Sequence, residues 1–268
     1  MTHAIEAPVP TTPVPSTPGA AVPAAATPAL LACAAVAGPL FLGVGLIQGF
    51  TRDGFDFTRN AISQLSLGDL GWIQVTAFLV AGTLMITGAV GLRRALGEGP
   101  GHRAAPWLFG VFGASFLVSG VFAADPGAGF PVGTPDSATP VLSTHGTVHM
   151  AAGMVGYLAL CAAFLVLARH FAGLRQRGWT IACRLVPVGV LAGFAGSAAS
   201  VLSFTAGAAF GLAALTAVTV RLARRQYCNG ASEVVLAEAA FAALAGPSVP
   251  AGGAPVCAVV AGQASLLG

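Results

Sequence analysis

The sequence predicts an all-α polytopic membrane protein, a bundle of six transmembrane helices. Three observations predict it. Of its residues 56% are hydrophobic and only 8% are charged, about a third of the roughly 25% that a soluble domain carries. Mean hydropathy is +0.83. The apolar residues also fall in runs of about twenty, the length of a helix that crosses a bilayer. A soluble enzyme, a disordered regulator and a nucleic-acid binder all fit poorly, and the net charge of +3 is too small and dispersed to suggest nucleic acid.

Taken in order, residues 1–28 are Pro, Ala and Thr without Lys or Arg, and lack the large apolar groups that form a core, so a disordered tail is expected. No basic region precedes the apolar stretch, as a secretory signal requires. Leu30-Leu31-Ala32-Cys33 looks like a lipoprotein box, but here the apolar run follows the Cys instead of preceding it. Six apolar stretches come next, at 29–50, 72–92, 104–124, 146–168, 180–202 and 205–222, giving a transmembrane domain over 29–225. Pro39 is a candidate kink in the first. The last two are expected to form a tight hairpin turning near Ser203–Thr205. Trp72, Trp107 and Trp179 each open a stretch, where an amphipathic ring favours the headgroup level. Gly189/Gly193 and Gly207/Gly211 repeat at four-residue spacing and are read as packing faces. Residues 226–268 break the pattern. A short interfacial helix at 231–245 is one reading, and a poorly ordered tail is the preferred one.

Cys33, Cys161, Cys183, Cys228 and Cys257 are scattered, without a CxxC pair, and read as small hydrophobes rather than disulfides or ligands. All twelve cationic side chains are Arg. Only Arg52 and Arg59 fall in odd-numbered loops. Arg93, Arg94, Arg103, Arg169, Arg175, Arg177, Arg184, Arg221, Arg224 and Arg225 fall in or beside the even loops and the sixth helix end. By the positive-inside bias, the chain is expected in the cell membrane with both termini cytoplasmic. A reporter joined after Asp136 is then expected outside.

That topology gathers the scarce acid–base groups at the outer face. His145 and His149 lie one turn apart at the start of the fourth helix, on one face. Asp125 ends the third helix on the same side, and the first loop adds Asp53, Asp56, Ser63, Gln64, Ser66 and Asp69. The plainest reading is structural, with interfacial His bonded to loop backbone and Asp125 capping or accepting from one of them. A second is a metal site, zinc being the candidate, held by His145, His149 and Asp125. An open fourth position there would activate water toward lipid amide or ester bonds, with Ser63 orienting that water or stabilising an oxyanion. A third is a metal-free cluster that binds a lipid headgroup or relays protons. Asp136 reads as a solvated loop residue. Residues 58–68 read as a short surface helix with Ala61, Ile62 and Leu65 on one side and a stop at Gly68, in which Arg59 pairs with Asp56 or with a phosphate headgroup.

The block Arg59-Asn60-Ala61-Ile62-Ser63-Gln64-Leu65-Ser66-Leu67-Gly68 is followed by Gly71-Trp72 and by a helix ending Gly91-Leu92-Arg93-Arg94. Further on stand Gly120-Val121-Phe122, Asp125-Pro126, Gly129-Phe130-Pro131 and His145-Gly146 with His149. Over roughly 30–225 this set resembles the bacterial membrane family catalogued as domain of unknown function 998. The resemblance implies a six-helix integral membrane protein and assigns it no particular chemistry. The two tails match nothing in that pattern, and the fifth–sixth hairpin is short for it. The Ser, Asp and HxxxH set is also similar in kind to that of membrane-embedded zinc amidases such as the alkaline ceramidases. Those use three His, and this face holds two.

Two function classes follow. One is a non-enzymatic or lipid-interacting membrane protein, whose partners are the bilayer and a candidate lipid ligand. The other is a metal-dependent hydrolase acting on lipid at the outer face. A transporter fits less well, since no helix carries a carboxylate near its middle.

Overall fold

In hydrocarbon every backbone N–H and C=O must be paired within its own segment, and a helix does this. The computed structural model describes residues 26–99, 101–137 and 141–245, with side chains through 229. Among them are six long helices: α1 (Ala26–Thr51), α2 (Gly71–Leu96), α3 (Ala104–Val121), α4 (Thr144–Gly173), α5 (Arg177–Ala195) and α6 (Val201–Ala245). Each contains a span long and apolar enough to cross a membrane. The sequence-derived fold class stands, and no β-strand occurs among the described residues.

Each helix packs on the next, and α6 returns to pack on α1, so the six form a closed ring. Apolar surface gains little from leaving lipid for a neighbouring helix, so close packing must hold the ring together. Glycine supplies it. A Cβ at Gly193 would lie 2.6 Å from Gly207 Cα, so α5 and α6 touch backbone to backbone there. The Gly189/Gly193 and Gly207/Gly211 pairs are therefore packing faces. Gly82 and Gly113 do the same for α2 and α3, each Cβ position lying within 3 Å of the other's carbonyl oxygen. A polar staple adds to the α1–α2 contact, where Gln48 Nε2 donates to Gln74 Oε1 at 2.8 Å.

Three boundaries differ from the sequence expectation. The α5–α6 turn lies at Gly196–Ser200, a few residues early, because Gly196 opens a 3-10 turn and Ser200 Oγ accepts from Leu202 N–H at the start of α6. The surface helix shrinks to a 3-10 helix, Ile62–Ser66, with Ile62, Gln64 and Leu65 buried over the bundle end. Finally, α6 runs on to Ala245, well past the expected domain edge at 225. Of the tails expected to be disordered, 1–28 and 226–268, residues 1–25 and 246–268 lie outside the described residues, and 26–28 and 226–245 lie within α1 and α6. Cys161 and Cys183 are buried thiols and Cys33 is half-buried.

The ring has two unlike ends. Ten Arg side chains cluster around one end, and the other holds Arg52, Arg59 and five Asp. In the Arg-rich half the interior is filled by Met85, Leu92, Phe109, Phe164, Leu167 and Leu215, all at most 1% exposed. The Arg-poor end is roofed by the first loop (52–70), the described parts of the third loop (122–137 and 141–143) and the α5–α6 turn.

Candidate functional site

Hydrogen bonds weld the roof together. Asn60, fully buried, accepts from Asp56 N–H and donates to the Gly127 and Ala128 carbonyls of the third loop. Gln64 accepts from Ala61 N–H and donates to Asp125 O. Arg52 donates to Leu65 O and Leu67 O, both at 2.6 Å, and lies over the Phe130 ring. Arg59 pairs with Asp56 at 3.3 Å and with Asp136 at 3.2 Å. Asp136 is therefore a tie between the loops as well as a solvated residue. The hydroxyl and backbone N–H of Thr58 hold the Asp56 carboxyl below the usual carboxylate range, with Arg59 adding to the effect. Val201 N–H reaches Thr58 O and brings the last hairpin into the roof.

Beneath the roof lies a cavity of about 550 Å³, within the range of small-molecule sites. Its floor forms where Gly211 lets α6 approach Leu160 and Tyr157. The α4 wall from Gly146 to Tyr157 is about 16 Å long at 1.5 Å per residue. Phe41, Phe78, Phe116, Phe204 and Leu212 make the sides apolar, and Met150 and Met154, which also line the cavity, are exposed on the bundle surface.

The structure separates the sequence-derived site residues into two groups. Ser63, Asp125 and His149 all line this cavity, and His145 does not. His145 is exposed and packs edge-on against Phe122. His149 is 6% exposed, and its Nδ1 lies 2.8 Å from Phe122 O and 3.2 Å from Ser119 O. Both neighbours are acceptors, so Nδ1 carries a proton and donates to them. Nε2 has no partner among the described residues. Asp125 is engaged as a cap. Its Oδ2 accepts from Ser143 N–H at 2.9 Å and its Oδ1 from Ser143 Oγ at 2.6 Å, while Ser143 Oγ accepts from Gly146 N–H at the start of α4. A carboxylate at a helix N-terminus is also favoured by the helix dipole. Gly146 is obligatory here, because a Cβ would strike the Asp125 carboxyl group. Among the described residues no group of three or more His, Cys, Asp or Glu side chains is placed to hold a metal ion.

Sequence reading missed the polar atoms inside the apolar stretches. Ser115 and Ser119 on α3, Tyr157 on α4 and Thr205 on α6 all line the cavity. The hydroxyls of Ser119 and Tyr157 have no hydrogen-bond partner among the described residues, and Thr205 Oγ1 is sealed in without one. Ser115 spends its hydroxyl on Phe112 O. The four-residue spacing of Ser115 and Ser119 within an apolar helix was the available signal.

A closed ring of six apolar helices around an amphiphilic cavity defines an integral membrane protein. Its family is identifiable as well. The family model described as protein of unknown function (DUF998) matches residues 35–223, and the chain belongs to that family. No curated protein and no solved structure gives a significant match.

Proposed function

We propose that the protein is a non-enzymatic, lipid-interacting membrane protein that takes one amphiphile into this cavity. The apolar tail would lie among Phe41, Phe78, Phe116 and Leu212, and the polar head among Ser63, Ser119 and His149. One observation carries the reading: an apolar chamber of about 550 Å³ retains unpartnered hydrogen-bonding groups on its wall. An unpaired buried polar group costs about 1–3 kcal/mol, and a ligand hydroxyl would recover it. The head is expected to be uncharged. Arg59, the guanidinium lining the cavity, is already held by two carboxylates, and Asp125 would repel an anion.

Gly153 provides the test, because it lines the cavity and a Cβ there meets nothing within 4 Å. Gly153→Phe should fill the chamber without disturbing the fold. Native mass spectrometry of the purified protein should show 1-oleoylglycerol bound to the wild type. Binding to the variant should be at least about tenfold weaker, a loss of about 1.4 kcal/mol. Equal binding to both proteins sinks the reading.

The hydrolase reading rests on a separate observation. An imidazole whose Nδ1–H is fixed by backbone carbonyls, leaving Nε2 free, is oriented as metal-ligating His residues are. In that reading His149, Asp125 and a reoriented His145 hold zinc beside Ser63, and Asp125 gives up its cap on α4. Zinc analysis of wild type against His149→Ala decides it, since equal metal content excludes the site.

A further inference from the structure

The Arg-rich end carries a second site, unrelated to the cavity. At the α4–α5 turn a groove of about 430 Å³ is lined by Ala172, Arg175, Arg177, Thr180, Ile181 and Arg184. The turn is firmly built. Arg175 N–H bonds Ala172 O, Gln176 N–H bonds Phe171 O, and Arg175 takes a left-handed conformation with φ of 57°. Thr180 is spent on Gln176 O.

The neighbouring cations have occupations. The Gln176 side-chain oxygen, in its bonded orientation, accepts from Arg225, and Arg221 lies over the Trp179 ring. Arg175, Arg177 and Arg184 are exposed, and among the described residues they meet neither a carboxylate nor a hydrogen-bond acceptor. Glu98, the acidic side chain described at this end, forms no ion pair. Among the described residues, three guanidiniums around one groove therefore lack a counter-ion. Positions 177, 181, 184, 185 and 188 follow helical spacing along one face of α5, and Ile181, Leu185 and Val188 are each more than half exposed. Cationic head and apolar stripe are continuous.

We propose that this corner binds the phosphate headgroup of an anionic phospholipid. Arg175, Arg177 and Arg184 grip the phosphate, and an acyl chain lies along Ile181, Leu185 and Val188. Guanidinium forks suit phosphate, and basic pockets beside transmembrane helices are a recurrent form of lipid recognition.

The test measures retention of dioleoylphosphatidylglycerol and dioleoylphosphatidylcholine by the full chain in native mass spectrometry. Replacing Arg175, Arg177 and Arg184 by Gln should lower phosphatidylglycerol retention at least about tenfold and leave phosphatidylcholine unchanged. Replacing Arg93, Arg94 and Arg103 by Gln removes equal charge elsewhere and should change neither. Equal losses in the two triple variants would mean a diffuse charge effect and overturn the proposal, as would full retention in the first. If the first triple variant fails to accumulate, Arg184→Glu alone should lower phosphatidylglycerol retention in the same direction, and unchanged retention there also overturns it. Millimolar inorganic phosphate should leave the lipid bound. Complete displacement would assign the groove to free phosphate and not to lipid.

Discussion

At the Arg-poor end both guanidiniums are bound within the protein, Arg52 by two backbone carbonyls and Arg59 by two carboxylates. At the Arg-rich end three guanidiniums at one corner have no partner among the described residues. The same side chain serves as internal scaffolding at one end and as an open anion contact at the other. Burial and pairing separate the two roles. Bonds that tie two loops together lower the energy of one arrangement, and an exposed cation over the headgroups costs nothing to leave free.

The contrast predicts a graded stability series, read as the shift in thermal unfolding of detergent-purified protein. Asn60→Ala should cost most, about 3 kcal/mol, because three backbone groups in two loops, one of them buried and two half-buried, lose their partner at once. Asp125→Ala should cost about 2 kcal/mol through loss of the Ser143 bonds and of the charge over α4. Arg94→Gln, exposed at the opposite end, should stay within about 0.5 kcal/mol. A comparable loss at Arg94 would erase the distinction, and a milder effect at Asn60 than at Asp125 would shift the weight of the roof onto the α4 cap.

Much of the bundle was legible in the sequence, since hydropathy and Arg placement report on each segment separately. All six helices follow from runs of about twenty apolar residues, and the Gly pairs on α5 and α6 announced their contact. The shared location of Ser63, Asp125 and His149 also follows from counting loops. What the sequence could not show depends on ring closure. The cavity exists because α1, α3, α4 and α6 surround one space, and no local pattern encodes a gap between helices distant in sequence. Asp125 illustrates the limit: its side of the bundle was readable, but its partner, Ser143, lies across a Pro- and Gly-rich loop. His145 and His149 share a helix face, yet one is exposed and the other is 6% exposed, because the Ser119 and Phe122 carbonyls and the Phe78 ring enclose the second, whereas the first meets only the Phe122 ring.

Ring closure also orders assembly. The first helix leaves synthesis early, but the surface it shows to α6, where Gly38 meets Leu212 and the Ala35 carbonyl accepts from Thr216 Oγ1, has no counterpart until nearly the whole domain has been made. The chamber is thus absent from every shorter nascent chain. Phe204, Leu212 and the Val201 tie to the first loop arrive with the final hairpin. Only a chain that has completed its last crossing can enclose that space.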